Sequence, residues 1–195
     1  MAKKESTIVN MVLTLFVITA IASVALGFVY NATKEPIAKS KQAKLETAIS
    51  TVLPEINKLD EELLVKPQNG TDNLSFYHAY KGEEYVGTAV KTYTDKGFSG
   101  RFWIMIGFLP DGTIFNTAVL EHKETPGLGD KMDISKSDFS VQFKNQNPQS
   151  FKLSVTKDGG NVQAITAATI SSRAFCDATQ RAYNTFMNNK KEGVQ

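Results

Sequence analysis

The sequence predicts an α+β protein: an N-terminal transmembrane helix followed by one domain with an antiparallel sheet and packed helices. Three observations predict it. Ile8 to Tyr30 is a run of 23 residues without a charged side chain. Short runs of alternating hydrophobicity separated by turn residues follow between residues 76 and 122, and apolar residues recur at helical spacing from Ile170 onward. A chain of 195 residues with 42% hydrophobic content supports one sizeable core beside an anchor and leaves little room for a second full domain.

A helix rises about 1.5 Å per residue, so the uncharged run spans roughly the hydrocarbon thickness of a bilayer. A cleaved signal peptide is the competing reading, because Ala20-Ile21-Ala22 follows the basic pair Lys3 and Lys4. Retention as an anchor is favoured, since Val24, Ala25, Leu26, Phe28 and Val29 prolong the apolar run past that point. The expected organisation is an N-terminal tail at 1–7, a transmembrane helix at 8–30, a juxtamembrane helix and connector at 31–73, a folded domain at 74–190 and a C-terminal tail at 191–195. Charge does not orient the span. Lys34, Lys39, Lys41 and Lys44 after it outnumber Lys3 and Lys4 before it, but the lysine rule weakens when a long domain follows.

Beyond the anchor, Ile37, Lys41, Leu45, Ile49, Val52 and Leu53 form a stripe at helical spacing that stops before Pro54, which predicts a helix packed on the domain. Residues 57–73 read as a polar connector with one short strand. Four strands are then expected at Phe76–Tyr80, Glu84–Thr94, Gly100–Phe108 and Thr113–His122. Lys81-Gly82, Asp95-Lys96-Gly97 and Pro110-Asp111-Gly112 supply the turns between them. Phe102, Ile104, Ile106 and Phe108 alternate with Trp103 and Met105, so the third strand should be central, covered on both faces, with Trp103 in the core. Two more short strands, Phe151–Val155 and Val162–Ile165, are expected around Asp158-Gly159-Gly160. In the last helix Thr166 is the expected N-cap, with Ile165 and Ile170 as a hydrophobic staple and Thr169 in the first turn.

Composition narrows the chemistry. A net charge of +2 without a basic stripe gives no reason to expect nucleic acid as a partner. A single cysteine, Cys176, rules out an intramolecular disulfide and an iron–sulfur cluster held by this chain alone, and its place in the last helix predicts a small buried hydrophobe. Neither a Gly-x-Gly-x-x-Gly loop nor a P-loop appears, so the chain itself should bind neither NAD nor ATP. His122 is expected to be partly buried and hydrogen-bonded, His78 to lie on a strand surface, and neither to ligate a metal.

Two motifs carry chemistry. In Thr125-Pro126-Gly127-Leu128, Pro and Gly specify a type II turn with exposed amides, followed by the flexible Gly129. Thr166-Ala167-Ala168-Thr169 opens the last helix, where unpaired amides and the macrodipole favour a phosphate. Singly, these read as a tight surface turn and as helix capping. Together, Glu124-Thr-Pro-Gly-Leu-Gly129 and Thr166-Ala-Ala-Thr169 resemble the two signatures of the FMN-binding domain in the G subunit of the Rnf complex, a membrane-bound, ion-translocating ferredoxin:NAD oxidoreductase. Pro36-Ile37, Gly97-Phe98-Ser99-Gly100 and Pro110-Asp111-Gly112 extend the likeness in the same order, and Gly97 to Gly100, singly a glycine-containing hairpin turn, is a third candidate region near the flavin.

The resemblance implies FMN joined through its phosphate to Thr169, the last threonine of a motif written Asp-x-x-(Ser/Thr)-Gly-Ala-Thr. This chain departs from it at Gln163 and Ala167, where the family has the acid and the glycine. Thr166, Ala167 and Ala168 would flank the phosphate, Glu124, Thr125, Gly127, Leu128 and Gly129 would wall the flavin, and Lys131 would contact phosphate or ring. No base lies near Thr169 in sequence, so attachment is expected from a separate flavin transferase. The implied role is electron relay between ferredoxin and NAD, coupled to Na⁺ or H⁺ translocation, with the other members of the complex as partners and no independent substrate turnover. The implied location is the bacterial inner membrane, N-terminus cytoplasmic and FMN domain periplasmic. The nearest alternative is the C subunit of the Na⁺-translocating NADH:quinone oxidoreductase. A non-redox membrane-anchored scaffold and a standalone extracytoplasmic flavoprotein reductase are the others.

Overall fold

The computed structural model describes residues 7–192. Lys3, Lys4, the rest of the expected N-terminal tail before Thr7, and residues 193–195 of the C-terminal tail lie outside the described residues. The chain divides into two compact units, Met1–Lys44 and Leu45–Gln195. In the first, the apolar run lies in helix α1, Ile8–Val52, which is long and apolar enough to cross a membrane and has none of its apolar window buried within the protein. That fits a single-pass membrane anchor. Thr14, Thr19, Ser23 and Thr33 return their hydroxyls to backbone carbonyls three or four residues earlier, which satisfies these groups within the helix itself. The juxtamembrane stripe belongs to the same helix, with Pro36 inside it.

In the second unit, an antiparallel sheet runs in the order β1-β3-β4-β5-β6, with β2 also paired to β3. Its strands are β1 (Lys58–Leu59), β2 (Leu63–Val65), β3 (Leu74–Lys81), β4 (Glu84–Thr94), β5 (Phe102–Phe108) and β6 (Ile114–Glu121). The four alternating runs thus become β3 to β6, and the connector holds two short strands where one was expected. β5 is covered on both faces. Phe102, Ile104, Ile106 and Phe108 join the core under helix α2 (Thr169–Glu192), while Met105 joins a second cluster with Tyr77, Ala79 and Ala89 under the end of α1. The stripe that packs there is Leu45, Ala48, Ile49, Val52 and Leu53, whereas Ile37 is exposed. Each fully buried aliphatic residue of this kind contributes about 1.5–3 kcal/mol.

Close approach is secured by glycine at one position above all. A Cβ built on Gly107 in β5 would overlap the carbonyl oxygen of Val52, and Asn116 Nδ2 donates 3.1 Å to the neighbouring Thr51 carbonyl at the helix end. On the other face α2 is tied to β4 by Thr92 Oγ1, which donates 3.1 Å to the Ala178 carbonyl, and by Thr94 Oγ1, which donates 2.8 Å to Asp177.

Three further expectations change. Residues 151–165 do not form two strands. Val155 and Val162 make a single parallel bridge around a 3₁₀ turn at Thr156–Asp158, and Leu153, Val155, Val162 and Ile165 are buried one by one as the loop folds over the core. Trp103 is not deep core. The pairing of β5 with β6 shifts at Trp103/Ile104, and the ring lies half-buried beside Tyr93 with Lys91 and Arg101 over it. His78 is not a surface residue: it is half-buried, its Nδ1 lies 2.7 Å from Thr88 Oγ1, and burial pushes its pKa down against the opposing pull of Asp60. Cys176 is buried as expected, with its thiol pushed up to about 12 by burial.

Candidate functional site

Pro126 and Gly127 produce the expected type II turn. Gly127 has φ +77°, and the Leu128 amide donates 3.1 Å to the Thr125 carbonyl. A short 3₁₀ helix, Gly129–Met132, follows directly. Residues 165–168 make a second turn of this kind. Ala167 sits at φ +61° and the Ala168 amide donates 3.0 Å to the Ile165 carbonyl.

That second turn moves the helix start. Thr166 is not the N-cap, because a left-handed residue at 167 cannot continue a right-handed helix, and α2 begins at Thr169. Ala168 then occupies the cap position without a side-chain oxygen to offer. Ile165 and Ile170 form no staple: Ile165 is buried while Ile170 is 50% exposed. Ser172, which the sequence did not single out, fixes the turn instead. Its Oγ accepts from the Ile165 amide at 2.9 Å and donates to the Ala168 carbonyl at 3.0 Å. Sequence pattern could have marked it only as a serine inside the first helical turn.

The consequence is a helix start left open. The first amide of α2 to donate is that of Ser172, to the Ala168 carbonyl at 3.1 Å, and among the described residues the amides of Thr169, Ile170 and Ser171 have no acceptor. Nor, among the same residues, has the Thr169 hydroxyl a partner. Three aligned donors at the positive end of a 24-residue helix suit a phosphate.

Thr169, Ile170 and Ser171 line a groove of about 290 Å³ with Ala167, Ala168, Glu124, Thr125, Leu128, Gly129 and Phe98. It therefore joins the Thr166–Thr169 segment, the Glu124–Gly129 turn and the Gly97–Gly100 turn, the three regions that the sequence marked. Phe98, Leu128 and Ile170, 67%, 40% and 50% exposed, present apolar surface to a planar ring. Gly127 shapes the turn behind the wall, and Thr166 is exposed and lies outside the lining. Lys131 is not brought to the groove either: it stands in the 3₁₀ helix, where its carbonyl accepts from Ser137 Oγ at 2.6 Å. A larger depression of about 450 Å³ beside Leu63, His78, Tyr80, Tyr85 and Phe186 gathers none of the motif residues.

Glu124 proves to be more than wall. It is 5% exposed; its Oε1 accepts from the Ser99 amide at 3.1 Å and its Oε2 from Ser171 Oγ at 2.6 Å. His122 holds the preceding bend, its Nδ1 accepting from the Glu124 amide at 3.2 Å. Gly129 and Gly97 make room for the carboxylate, since a Cβ on Gly129 would lie 2.6 Å from Ser171 Oγ and one on Gly97 would lie 2.7 Å from Glu124 Oε1.

Ala167 yields a direct test of the turn. A left-handed alanine costs about 1–2 kcal/mol relative to its right-handed form, and glycine forgoes part of that gain through its greater unfolded-state freedom. Ala167→Gly should raise unfolding stability by about 0.5–1 kcal/mol in urea denaturation. A fall in stability would contradict the assigned conformation.

An apolar groove abutting an open helix start, on a chain whose helix α1 is long and apolar enough to cross a membrane, fits a membrane-anchored domain for a phosphorylated planar cofactor. Comparison agrees: the FMN-binding domain family matches residues 97–184. The chain is 32% identical over 194 residues to the G subunit of the ion-translocating oxidoreductase complex of Aliivibrio fischeri, covering 94% of this chain and 91% of that protein. It is 33% identical over 178 residues to the G subunit of the same complex in Erwinia tasmaniensis, covering 86% and 84%. For the counterpart in Vibrio atlanticus the identity is 33% over 183 residues, covering 89% and 86%. The chain belongs to the family formed by the G subunits of ion-translocating oxidoreductase complexes. The FMN-binding domain lies within its second unit, which sets aside the non-redox scaffold.

Proposed function

We propose that this chain is the electron-relay component of a membrane complex that moves electrons between ferredoxin and NAD and couples the transfer to Na⁺ or H⁺ translocation. It holds FMN as a phosphoester on Thr169 and turns over no substrate alone. The supporting observation is the conjunction at the start of α2: an unpartnered Thr169 hydroxyl, three unpartnered amides and an adjoining apolar groove.

The residues present fit FMN. The amides of Thr169, Ile170 and Ser171 would hold the phosphate, with Ala167 and Ala168 too small to obstruct it and Thr166 beside them. Leu128, Thr125, Gly129 and Phe98 would flank the ring, behind which Gly127 fixes the turn; Lys131 would act on phosphate or ring only through a change in its side-chain position. FMN supplies one- and two-electron transfer, and the protein supplies position, exposure of one edge and electrostatic tuning. Among the described residues no base stands against the Thr169 hydroxyl, so esterification is assigned to a separate flavin transferase. An ester through phosphate leaves the ring unmodified and prevents cofactor loss outside the cytoplasm.

In this reading the chain has a cytoplasmic tail at 1–7, the span at 8–30, a juxtamembrane segment and connector at 31–73 whose helix end and short strands pack on the domain that follows, the FMN-binding domain at 74–190 and a short tail at 191–195. The N-terminus is placed in the cytoplasm and the FMN domain on the periplasmic side of the inner membrane.

Purification of the native complex through a tag on this chain tests the assignment. Iron–sulfur subunits and NAD reduction driven by reduced ferredoxin are expected. Recovery of an NADH-oxidising flavoprotein with quinone reductase activity would move the chain to the Na⁺-translocating NADH:quinone oxidoreductase instead, and flavin with no stable complex would make it a standalone reductase.

A further inference from the structure

Glu124 is a carboxylate in the wall of the groove, 5% exposed, and among the described residues it forms no ion pair. The cations nearest in sequence to its partner segments are engaged elsewhere. Lys96 pairs with Asp177 at 2.6 Å, Arg101 with Asp95 at 2.5 Å and also with Asp72, and Arg173 with Asp158 at 2.7 Å. Both of its hydrogen bonds come from neutral donors, the Ser99 amide and the Ser171 hydroxyl, and both donors point at it from different walls of the groove. A buried charge kept without a counter-ion costs stability. A glutamine of the same shape could accept from the Ser99 amide and donate to Ser171 Oγ, so shape alone does not call for the charge.

We infer that Glu124 is a positioning and tuning residue: its side chain holds the three walls of the groove in register, and its uncompensated negative charge makes the bound flavin harder to reduce. The inference rests on the FMN reading of the groove. Its electrostatic part follows from Coulomb repulsion in a medium of low effective dielectric, because electrons added to a ring in this groove bring negative charge towards a carboxylate that water screens poorly. Its geometric part follows from the two hydrogen bonds, one to each of the other walls.

The test compares full-length wild type, Glu124→Gln and Glu124→Ala in detergent, after coexpression with a flavin transferase. Three quantities are read: flavin per polypeptide, the midpoint potential by spectroelectrochemical titration, and the thermal midpoint of the flavin-free chains. Glu124→Gln is expected to load like wild type, to melt at or above the wild-type midpoint and to shift the potential to a more positive value. Glu124→Ala is expected to lose flavin occupancy at least tenfold and to melt earlier. Normal loading of Glu124→Gln with an unshifted or more negative potential would overturn the electrostatic assignment. Normal loading and melting of Glu124→Ala would overturn the positioning role. Absence of flavin from the wild type itself would instead remove the FMN reading and this inference with it, an outcome distinguishable from both.

Discussion

Thr169→Ala should abolish covalent flavin, read as complete loss of in-gel flavin fluorescence from the denatured chain, while leaving the fold intact. The hydroxyl at 169 has no hydrogen-bond partner among the described residues and the side chain is only half-buried. Its removal should therefore change unfolding free energy by no more than about 0.5 kcal/mol, the range of substitutions that break no named interaction. Thr169→Ser keeps an oxygen at the first position of α2, in front of the same amides, and should retain part of the loading. Thr166→Ala should load nearly as well as wild type, because Thr166 lies outside the lining and does not cap the helix. Loss of fluorescence in Thr166→Ala with retention in Thr169→Ala would invert the assignment.

Gly107→Ala should have the largest effect on stability. The added Cβ would overlap the Val52 carbonyl, a backbone atom that cannot step aside as a side chain can, so the end of α1 must move off the sheet. Val52 and Leu53 are buried there against the face that contains Met105 and Ala89. A loss of about 3 kcal/mol is expected, at the upper end of overpacking costs. For a unit of this size that corresponds to a melting midpoint lower by roughly 6–12 °C. Amide exchange at residues 48–53 should accelerate more than exchange in α2, which packs on the opposite face. Unchanged melting and exchange would mean that the helix end does not approach β5 as described.

The sheet was legible in the sequence because its information is local. Alternation places every second residue of β5 on one face, and Lys81-Gly82 and Pro110-Asp111-Gly112 mark where the chain reverses, so strand positions could be read within a few residues. The type II turn at Thr125–Leu128 was legible for the same reason, since Pro and Gly specify its dihedral angles on their own. The start of α2 was not. A threonine followed by an apolar helical pattern looks like an N-cap, and nothing local reveals that Ala167 adopts φ +61° under the hold of Ser172. The loop at 151–165 misled in another way: its valines have strand character but satisfy the core singly, which periodicity cannot distinguish from a ladder.

Glu124 shows the same limit at the site. Its motif placed it near the flavin, yet its burial depends on Ser99 and Ser171, 25 and 47 residues away. Gly97 and Gly129 each appeared to serve a turn, whereas their lack of a Cβ makes the space that the carboxylate fills. Lys131 shows the converse: proximity in sequence to the Pro-Gly turn did not bring it to the groove.

Peptide mass mapping of the wild-type chain, coexpressed with an active flavin transferase, decides whether a covalent flavin sits on the open start of α2. Cleavage after Lys157 and Arg173 releases Asp158–Arg173, which contains Thr166, Thr169, Ser171 and Ser172 as competing hydroxyls. This peptide is expected to be heavier by FMN less one water, with fragmentation placing the adduct on Thr169. An adduct on Thr166, Ser171 or Ser172, or an unmodified peptide from a culture in which the transferase loads a control substrate, would contradict it.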